Sequence, residues 1–253
     1  MKHGIEIEVS EEAGVRYLHF GSDWVQGAMR IARPWSLELD YTREMMTCLL
    51  LRPELRWPRR ALLVGLGAAS LTKFLHRHRP STKITVVEIE PRVVAVARQS
   101  FKLPEESASL DIIIADGVDY MMQQGPRYDL ILVDGFDADA RAGMLDTLPF
   151  YVNCRARLAD DGMLITNLLS RRKDFRHSVA RIKQAFDERA FAFPSCDSGN
   201  AIAVAVTGER LELTMLELKK AAVKLKKQTG LNLLPTVARL EQSTTCAGRV
   251  LSL

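Results

Sequence analysis

Apolar and polar positions change rhythm along this chain. Over the first 40 residues they alternate: Ile5-Glu-Ile-Glu-Val9, a turn at Gly14, then Val15-Arg-Tyr-Leu-His-Phe20, with a further strand pattern from Trp24 to Ile31. A period of two predicts a small antiparallel β module. A helical pattern follows from Asp40 to Leu51 and stops at the break between Pro53 and Pro58. From residue 61 short apolar runs alternate with segments of helical period. Strands are predicted at 61–64, 84–88, 111–114, 129–133 and 163–167, and helices at 69–78, 91–100, 117–124, 148–158 and 174–187. Such alternation implies a parallel sheet with helices on both faces. Ala190-Phe-Ala-Phe193 and Ala201 to Val206 predict a closing hairpin, and residues 210–229 an amphipathic helix. Its pattern puts Leu213, Leu216 and Val223 inward and Lys219, Lys224, Lys226 and Lys227 outward. The expected organisation is α/β and doubly wound. Residues 1–47 hold the β module and its linking helix, and 48–253 the sheet domain with carboxyl-terminal helices.

Composition narrows the function classes. A formal charge of +4, from 35 basic and 31 acidic residues, is too small to argue for nucleic acid. No apolar run reaches the length of a membrane span and the first residues do not pattern as a signal peptide, which points to the cytoplasm and away from membranes. Cys48, Cys154, Cys196 and Cys246 are scattered, with no Cys-x-x-Cys or Cys/His cluster, so neither a zinc site nor a disulfide framework is expected. His76 and His78 do not share a helix face; they suit the carboxyl end of a helix, where the dipole favours cations. The basic run from Arg171 to His177 and the carboxyl-terminal lysines read as a solvated helix face, with contact to nucleic acid or acidic partners as the alternative. Trp24, Trp35 and Trp57 read as core or interface anchors.

Candidate chemistry gathers where the predicted strands end. Ala61-Leu-Leu-Val64 runs straight into Gly65-x-Gly67, and a helix follows. The glycines allow a tight turn and a close approach of backbone to ligand. Glu88 closes the second strand, where a carboxylate can accept both hydroxyls of a ribose. The third glycine of the dinucleotide fingerprint is replaced by Ser70, which favours an adenosyl-sulfonium ligand over a pyrophosphate. Asp116-Gly117 follows the third strand. There the aspartate can bond an adenine amino group while the glycine leaves room for the ring, or Asp116 can simply cap the next helix. Asp134 and Asp137 follow the fourth strand, with Asp139 close behind, and Asn167 ends the fifth. Two carboxylates on one loop can hold a cationic amine and take its proton; they can equally be solvated loop charge.

Taken in order, Gly65-x-Gly67, Val86-Val-Glu-Ile-Glu-Pro91, Asp116-Gly117, Tyr128-Asp-Leu-Ile-Leu-Val-Asp134-x-x-Asp137, Phe150-Tyr151 and Leu158-x-x-x-Gly162 resemble the polyamine aminopropyltransferases, the spermidine synthase family, in a divergent spermidine-synthase-like branch. The resemblance implies a Rossmann-like S-adenosylmethionine-transferase sheet. It also implies an enzyme that moves an aminopropyl group from decarboxylated S-adenosylmethionine to a small-molecule amine, a diamine, without a metal and as a homodimer. Carried over by position, Glu88 would bind ribose, Asp116 adenine, Asp134 would be the base and Asp137 would help hold the amine. Three positions depart from the family pattern. Ala68 stands where an aspartate grips the aminopropyl amine, Thr42 where a tyrosine lines the substrate tunnel, and Ala138-Asp-Ala-Arg-Ala-Gly143 where a proline-rich loop follows the aspartates. Two other readings stand beside this one: a methyltransferase using S-adenosylmethionine itself, and a non-catalytic protein that binds an adenosyl ligand.

Overall fold

The computed structural model describes residues 6–22, 24–137, 141–194, 199–242 and 250–253. Three strands, β1 (Glu8–Glu12), β2 (Val15–His19) and β3 (Val25–Arg30), form an antiparallel sheet in that order, as the alternation predicts. The predicted helix from Asp40 to Leu51 is two pieces, α1 (Asp40–Met45) and α2 (Cys48–Leu51), separated at Met46 and Thr47. Both pieces are largely buried.

The main sheet has seven strands: β4 (Arg60–Val64), β5 (Lys83–Glu88), β6 (Leu110–Ile114), β7 (Tyr128–Val133), β8 (Leu158–Leu169), β9 (Ala190–Pro194) and β10 (Asn200–Val206). Their order is β6-β5-β4-β7-β8-β10-β9. The first five pair in parallel, and β10 runs antiparallel to both β8 and β9. Side-chain alternation divides the core in two. Ala61 and Leu63 of β4 join one cluster with Leu71, Phe74 and Val93, while Leu62 and Val64 join the other with Phe150, Tyr151 and Ile182. The helices on the first face are α3 (Ser70–His78) and α4 (Pro91–Ser100). Those on the second are α5 (Gly117–Met122), α6 (Leu148–Ala156) and α7 (Phe175–Ala185). Strands buried on both sides explain why these runs are apolar without alternating.

The carboxyl-terminal segment departs from expectation. Residues 212–214 form β11 (Glu212–Thr214), paired with β12 (Val250–Ser252), and α8 (Met215–Thr229) starts only after it. A capping box joins Thr214 and Glu217 at that start. The helix therefore buries Met215, Leu218, Ala222 and Leu225, and the expected inward residues Leu216 and Val223 are exposed. Helix α9 (Leu234–Gln242) packs beside it, and Arg239 forms an ion pair with buried Glu44 of α1. Cys48 and Cys154 are buried free thiols; Cys196 and Cys246 lie outside the described residues.

Candidate active site

Strand order reverses between β4 and β7, and ligands of open α/β sheets bind at such a switch point. A cavity of about 930 Å³ lies there. Gly65, Gly67, Glu88, Asp116, Gly117, Asp134 and Asp137 all line it, as does Asn167. Asp139 lies outside the described residues. Neighbouring strands are about 4.8 Å apart, so the sheet edge sets these groups in a row. Asp116 follows β6, then come Glu88 of β5, Gly65 after β4, Asp134 after β7 and Asn167 of β8.

Second in the row, Glu88 is 8% exposed and each of its oxygens takes one backbone N–H, Oε2 from Leu66 at 2.8 Å and Oε1 from Glu90 at 3.0 Å. A carboxylate offers about four lone-pair positions. Half are left, in an orientation the backbone fixes. Burial raises the Glu88 pKa, while the N–H groups of Glu90, Leu66 and Ile89 pull it back. Asp116 does cap α5: its Oδ1 accepts from Val118 N at 2.7 Å and Asp119 N at 3.3 Å, leaving Oδ2 outside the cap. Gly117 has a packing reason as well, since a Cβ there would sit 2.5 Å from Val64 Cγ1.

The turn itself is built on close approaches. Gly65 has φ +95°, and a Cβ on it would lie 2.3 Å from the Asp134 carbonyl oxygen. No residue with a side chain fits. Ala69, in the left-handed region at φ 56°, precedes α3. The amino-terminal sheet leans on this turn: a Cβ at Gly27 of β3 would lie 2.6 Å from Ala68 Cβ.

Asp134 lies between Gly65 and Asn167 in the row. Its Oδ1 accepts from Asn167 Nδ2 at 2.9 Å, and the buried Tyr41 hydroxyl of α1 also bonds the carboxylate. Burial raises the Asp134 pKa, and the bonds from Asn167 and Tyr41 oppose that rise. Asn167 is 5% exposed and its Oδ1 is buried without a hydrogen-bond partner. An unpartnered acceptor beside a carboxylate suits a donor with several N–H groups, such as an ammonium. Asp137 lines the same cavity and takes the Arg141 backbone N–H at 2.8 Å.

Several lining residues were not singled out by their pattern. Tyr41 is one: Thr42 holds the position matched to the tunnel tyrosine, yet it is Tyr41 that reaches the site. Arg171 and Arg172 are not on a solvated helix face. They occupy the turn between β8 and α7 and line the cavity. Trp24 is 60% exposed at the cavity rather than a core anchor, whereas Trp57 packs on the core and Trp35 lies under Arg77. Among the described residues, no group of three or more His, Cys, Asp or Glu is placed to hold a metal, and no helix is long and apolar enough to cross a membrane.

A doubly wound sheet ending in an antiparallel hairpin, with an acid closing β5 and a cavity at the switch point, defines the class of S-adenosylmethionine-type transferases. Within that class, residues 40–207 match the spermine/spermidine synthase domain. The chain is 36% identical over 244 residues to a polyamine aminopropyltransferase of Neisseria meningitidis, covering 96% of this chain and 92% of that one. It therefore belongs to the spermine/spermidine synthase family. The structure of a spermidine synthase in complex with the transition-state analogue AdoDATO superposes with a TM-score of 0.63 at 19% identity, over 92% of this chain and 83% of the other. Human methyltransferase-like protein 13, in complex with SAH, superposes at 0.67 and 25% identity, over 76% and 93%.

Proposed function

We propose that this protein transfers an aminopropyl group from decarboxylated S-adenosylmethionine to a small amine, the reaction of polyamine biosynthesis. The observation that carries this reading is Asp134. It is a half-buried carboxylate fixed by Asn167 and Tyr41, two strands along the sheet from Glu88 and in the same cavity.

Glu88 holds the ribose through its two remaining lone pairs, and Asp116 Oδ2 meets the adenine amino group. The Gly65–Gly67 turn brings the sulfonium toward Asp134. An alkyl amine arrives as an ammonium, which cannot attack. Asp134 takes one proton while Asn167 Oδ1 and Asp137 hold the remaining N–H groups. The freed nitrogen lone pair then forms a bond to the propyl carbon attached to sulfur. The carbon–sulfur bond breaks with its electron pair going to sulfur, so the sulfonium leaves as neutral methylthioadenosine. Desolvation raises the basicity of Asp134 toward that of its substrate, which favours proton transfer. Holding both reactants in line supplies the rest of the acceleration.

A second reading, methyl transfer from S-adenosylmethionine, draws on Ala68, where the family's aspartate for the aminopropyl amine is missing, and on the likeness to the human methyltransferase. One experiment separates the two. The protein is incubated with each form of the co-substrate and a panel of amines, and products are read by mass spectrometry. Aminopropylated amine with methylthioadenosine supports the first reading. Methylated product with S-adenosylhomocysteine replaces it with the second, and no product from either leaves a binding protein.

A further inference from the structure

Helix α1 has only six residues and ends at the break over Met46 and Thr47, so little in its own length holds it in place. The side-chain hydrogen bonds of Thr42 and Arg43 all end within residues 37–40, at the start of the helix and just before it. Two polar side chains reach further, and they stand three residues apart on one buried face. Tyr41 bonds the Asp134 carboxylate at the cavity. Glu44, 2% exposed, forms an ion pair with Arg239 of α9, and neither of these two lines the cavity. Apart from that ion pair, no hydrogen bond reaches either Glu44 oxygen among the described residues. Asp40 also faces Arg239, but it has its own partner in Arg43 at 2.8 Å. A buried carboxylate is costly unless a cation answers it. For Glu44 that cation comes from a helix nearly two hundred residues later in the chain.

Resting on the aminopropyl-transfer reading, we infer that Arg239 is a positioning residue for the reaction: by neutralising Glu44 it pins α1, and so holds the Tyr41 hydroxyl on the Asp134 carboxylate. Less than one helical turn separates the anchor from the hydroxyl, so a displacement at Glu44 passes to Tyr41 through the backbone. The other end of the tie is firm, because α9 is seated by its buried Val237 and Leu240 on either side of Arg239. Losing the tyrosine bond has two effects on Asp134. Its carboxylate is left aimed by Asn167 alone, and one of the two bonds that oppose the effect of burial is gone. Asp134 then keeps its proton to a higher pH, and at a given pH fewer molecules can accept one from the incoming ammonium. Glu88 of β5, Asp137 of the same loop and Arg171 after β8 share the cavity, and Glu38 there is paired with Arg30. A change at position 239 leaves these groups as they are. Arg239 takes no part in the bond changes of the transfer.

The test follows kcat against pH as methylthioadenosine release from decarboxylated S-adenosylmethionine, with a straight-chain diamine as acceptor. Wild type is compared with Arg239→Met, Tyr41→Phe and the two changes together. Arg239→Met leaves Glu44 buried without its cation; should it fail to fold, Glu44→Gln/Arg239→Met, which has no charge at either position, takes its place. The acid limb is expected to move upward by about one pH unit in Arg239→Met, the size of one hydrogen bond to a charged group. Tyr41→Phe should move it equally, and the combined variant no further. Arg239→Lys, which keeps the cation, should return the limb toward wild type. KM for decarboxylated S-adenosylmethionine should not change with Arg239, since Glu88 and Asp116 are untouched. Loss of folded protein alone would scale kcat down equally at every pH and leave the limb in place. A limb that does not move in the folded variant overturns the inference while transfer stands. So do shifts that add in full when Arg239→Met joins Tyr41→Phe, which would mark a charge effect through Asp40 instead. No methylthioadenosine from the wild type at any pH overturns both this inference and the transfer reading.

Discussion

Asn167 Nδ2 donates to Asp134 Oδ1 across 2.9 Å, so a side chain on β8 sets the direction of a carboxylate that follows β7. The two strands are parallel neighbours, with Val133 paired to Thr166. The bond therefore spans a single strand spacing and is anchored at both ends by sheet. Asn167 is left with a buried, unpartnered Oδ1 facing the same space. Position and protonation of Asp134 are thus decided together.

Replacing Asp134 by Asn should lower kcat for transfer by about 10²–10⁴, the usual range for loss of a positioned base, while methylthioadenosine binding stays close to wild type. Asp137→Asn should instead act on acceptor KM. Steady-state kinetics with calorimetry separates the two, and wild-type turnover in Asp134→Asn would remove Asp134 from the base role. The same variant changes stability in a definite direction. Burial raises the Asp134 pKa above its ordinary 3.8, so the folded protein holds a proton that the unfolded chain has already released. Stability then falls as pH rises from 3.8 through the raised value. The asparagine does not titrate, so Asp134→Asn should gain in Tm relative to wild type across that window and keep the gain at neutral pH.

Glu88→Ala should erase the thermal shift that methylthioadenosine produces. Ligand binding to the folded state alone raises Tm by mass action, and the two backbone-oriented oxygens of Glu88 are the proposed ribose contacts. A shift that survives in the variant would place the nucleoside elsewhere in the cavity.

Ala68 predicts weak discrimination between the two forms of the co-substrate. An aspartate there would pair with the amine of the decarboxylated tail, a charge-assisted contact worth roughly 1.5–3 kcal/mol, and would repel the carboxylate of S-adenosylmethionine. With alanine, the two Kd values should lie within about tenfold, or about 1.4 kcal/mol. Titration calorimetry checks this. A preference of about a hundredfold, roughly 2.7 kcal/mol, would mean that another residue does the aspartate's work.

Lys73 offers a test of the core away from the site. Its side chain is buried, its Nζ donates to the Phe101 carbonyl at 2.7 Å, and burial lowers its pKa to about 7 from an ordinary 10.5. Between those values the unfolded chain binds a proton that the folded protein lacks, so wild-type stability rises with pH through that window. Lys73→Met removes the titration. The wild type should gain stability relative to Lys73→Met from pH 7 to 10.5, with the difference constant below pH 7. Urea unfolding at a series of pH values reads this directly; a flat difference would place the ammonium in a hydrated setting.

The amino-terminal sheet carries exposed Val9, Val25 and Ile31, each about 40% accessible, on its two edge strands and just past β3. We propose that these edges meet their copies in a homodimer, since unpaired edges with apolar side chains seek partners. Light scattering at micromolar concentration should give about twice the chain mass, and a monomer would refute the arrangement.

The doubly wound core was legible because its strands are short, apolar and punctuated by glycine or by an acid at the carboxyl end. Those same punctuation marks became the wall of the cavity. What local pattern could not supply were contacts between distant segments. The pairing of β11 with β12 joins residues near 213 to residues near 251, and it shifts the start of α8 so that Leu218, not Leu216, faces inward. Thr214-x-x-Glu217 was a readable helix start within that stretch. Arg171 read as surface charge because nothing nearby in sequence reveals that Gly199 makes a seat for it. Tyr41 stands next to Thr42, but its bond to a carboxylate some ninety residues later in the chain could not be read from local pattern.

The contact between Gly27 and Ala68 has a consequence for how such chains can be recombined. Drawn as a diagram, the amino-terminal sheet is a detachable module, yet its third strand passes so near the glycine turn that the two positions share one space. A chimera that takes its first 40 residues from one relative and the rest from another brings together a strand and a turn that were never fitted to each other. Shuffled libraries built across this seam should lose ligand binding unless positions 27 and 68 come from the same parent, and this pair of small residues then travels as one heritable unit.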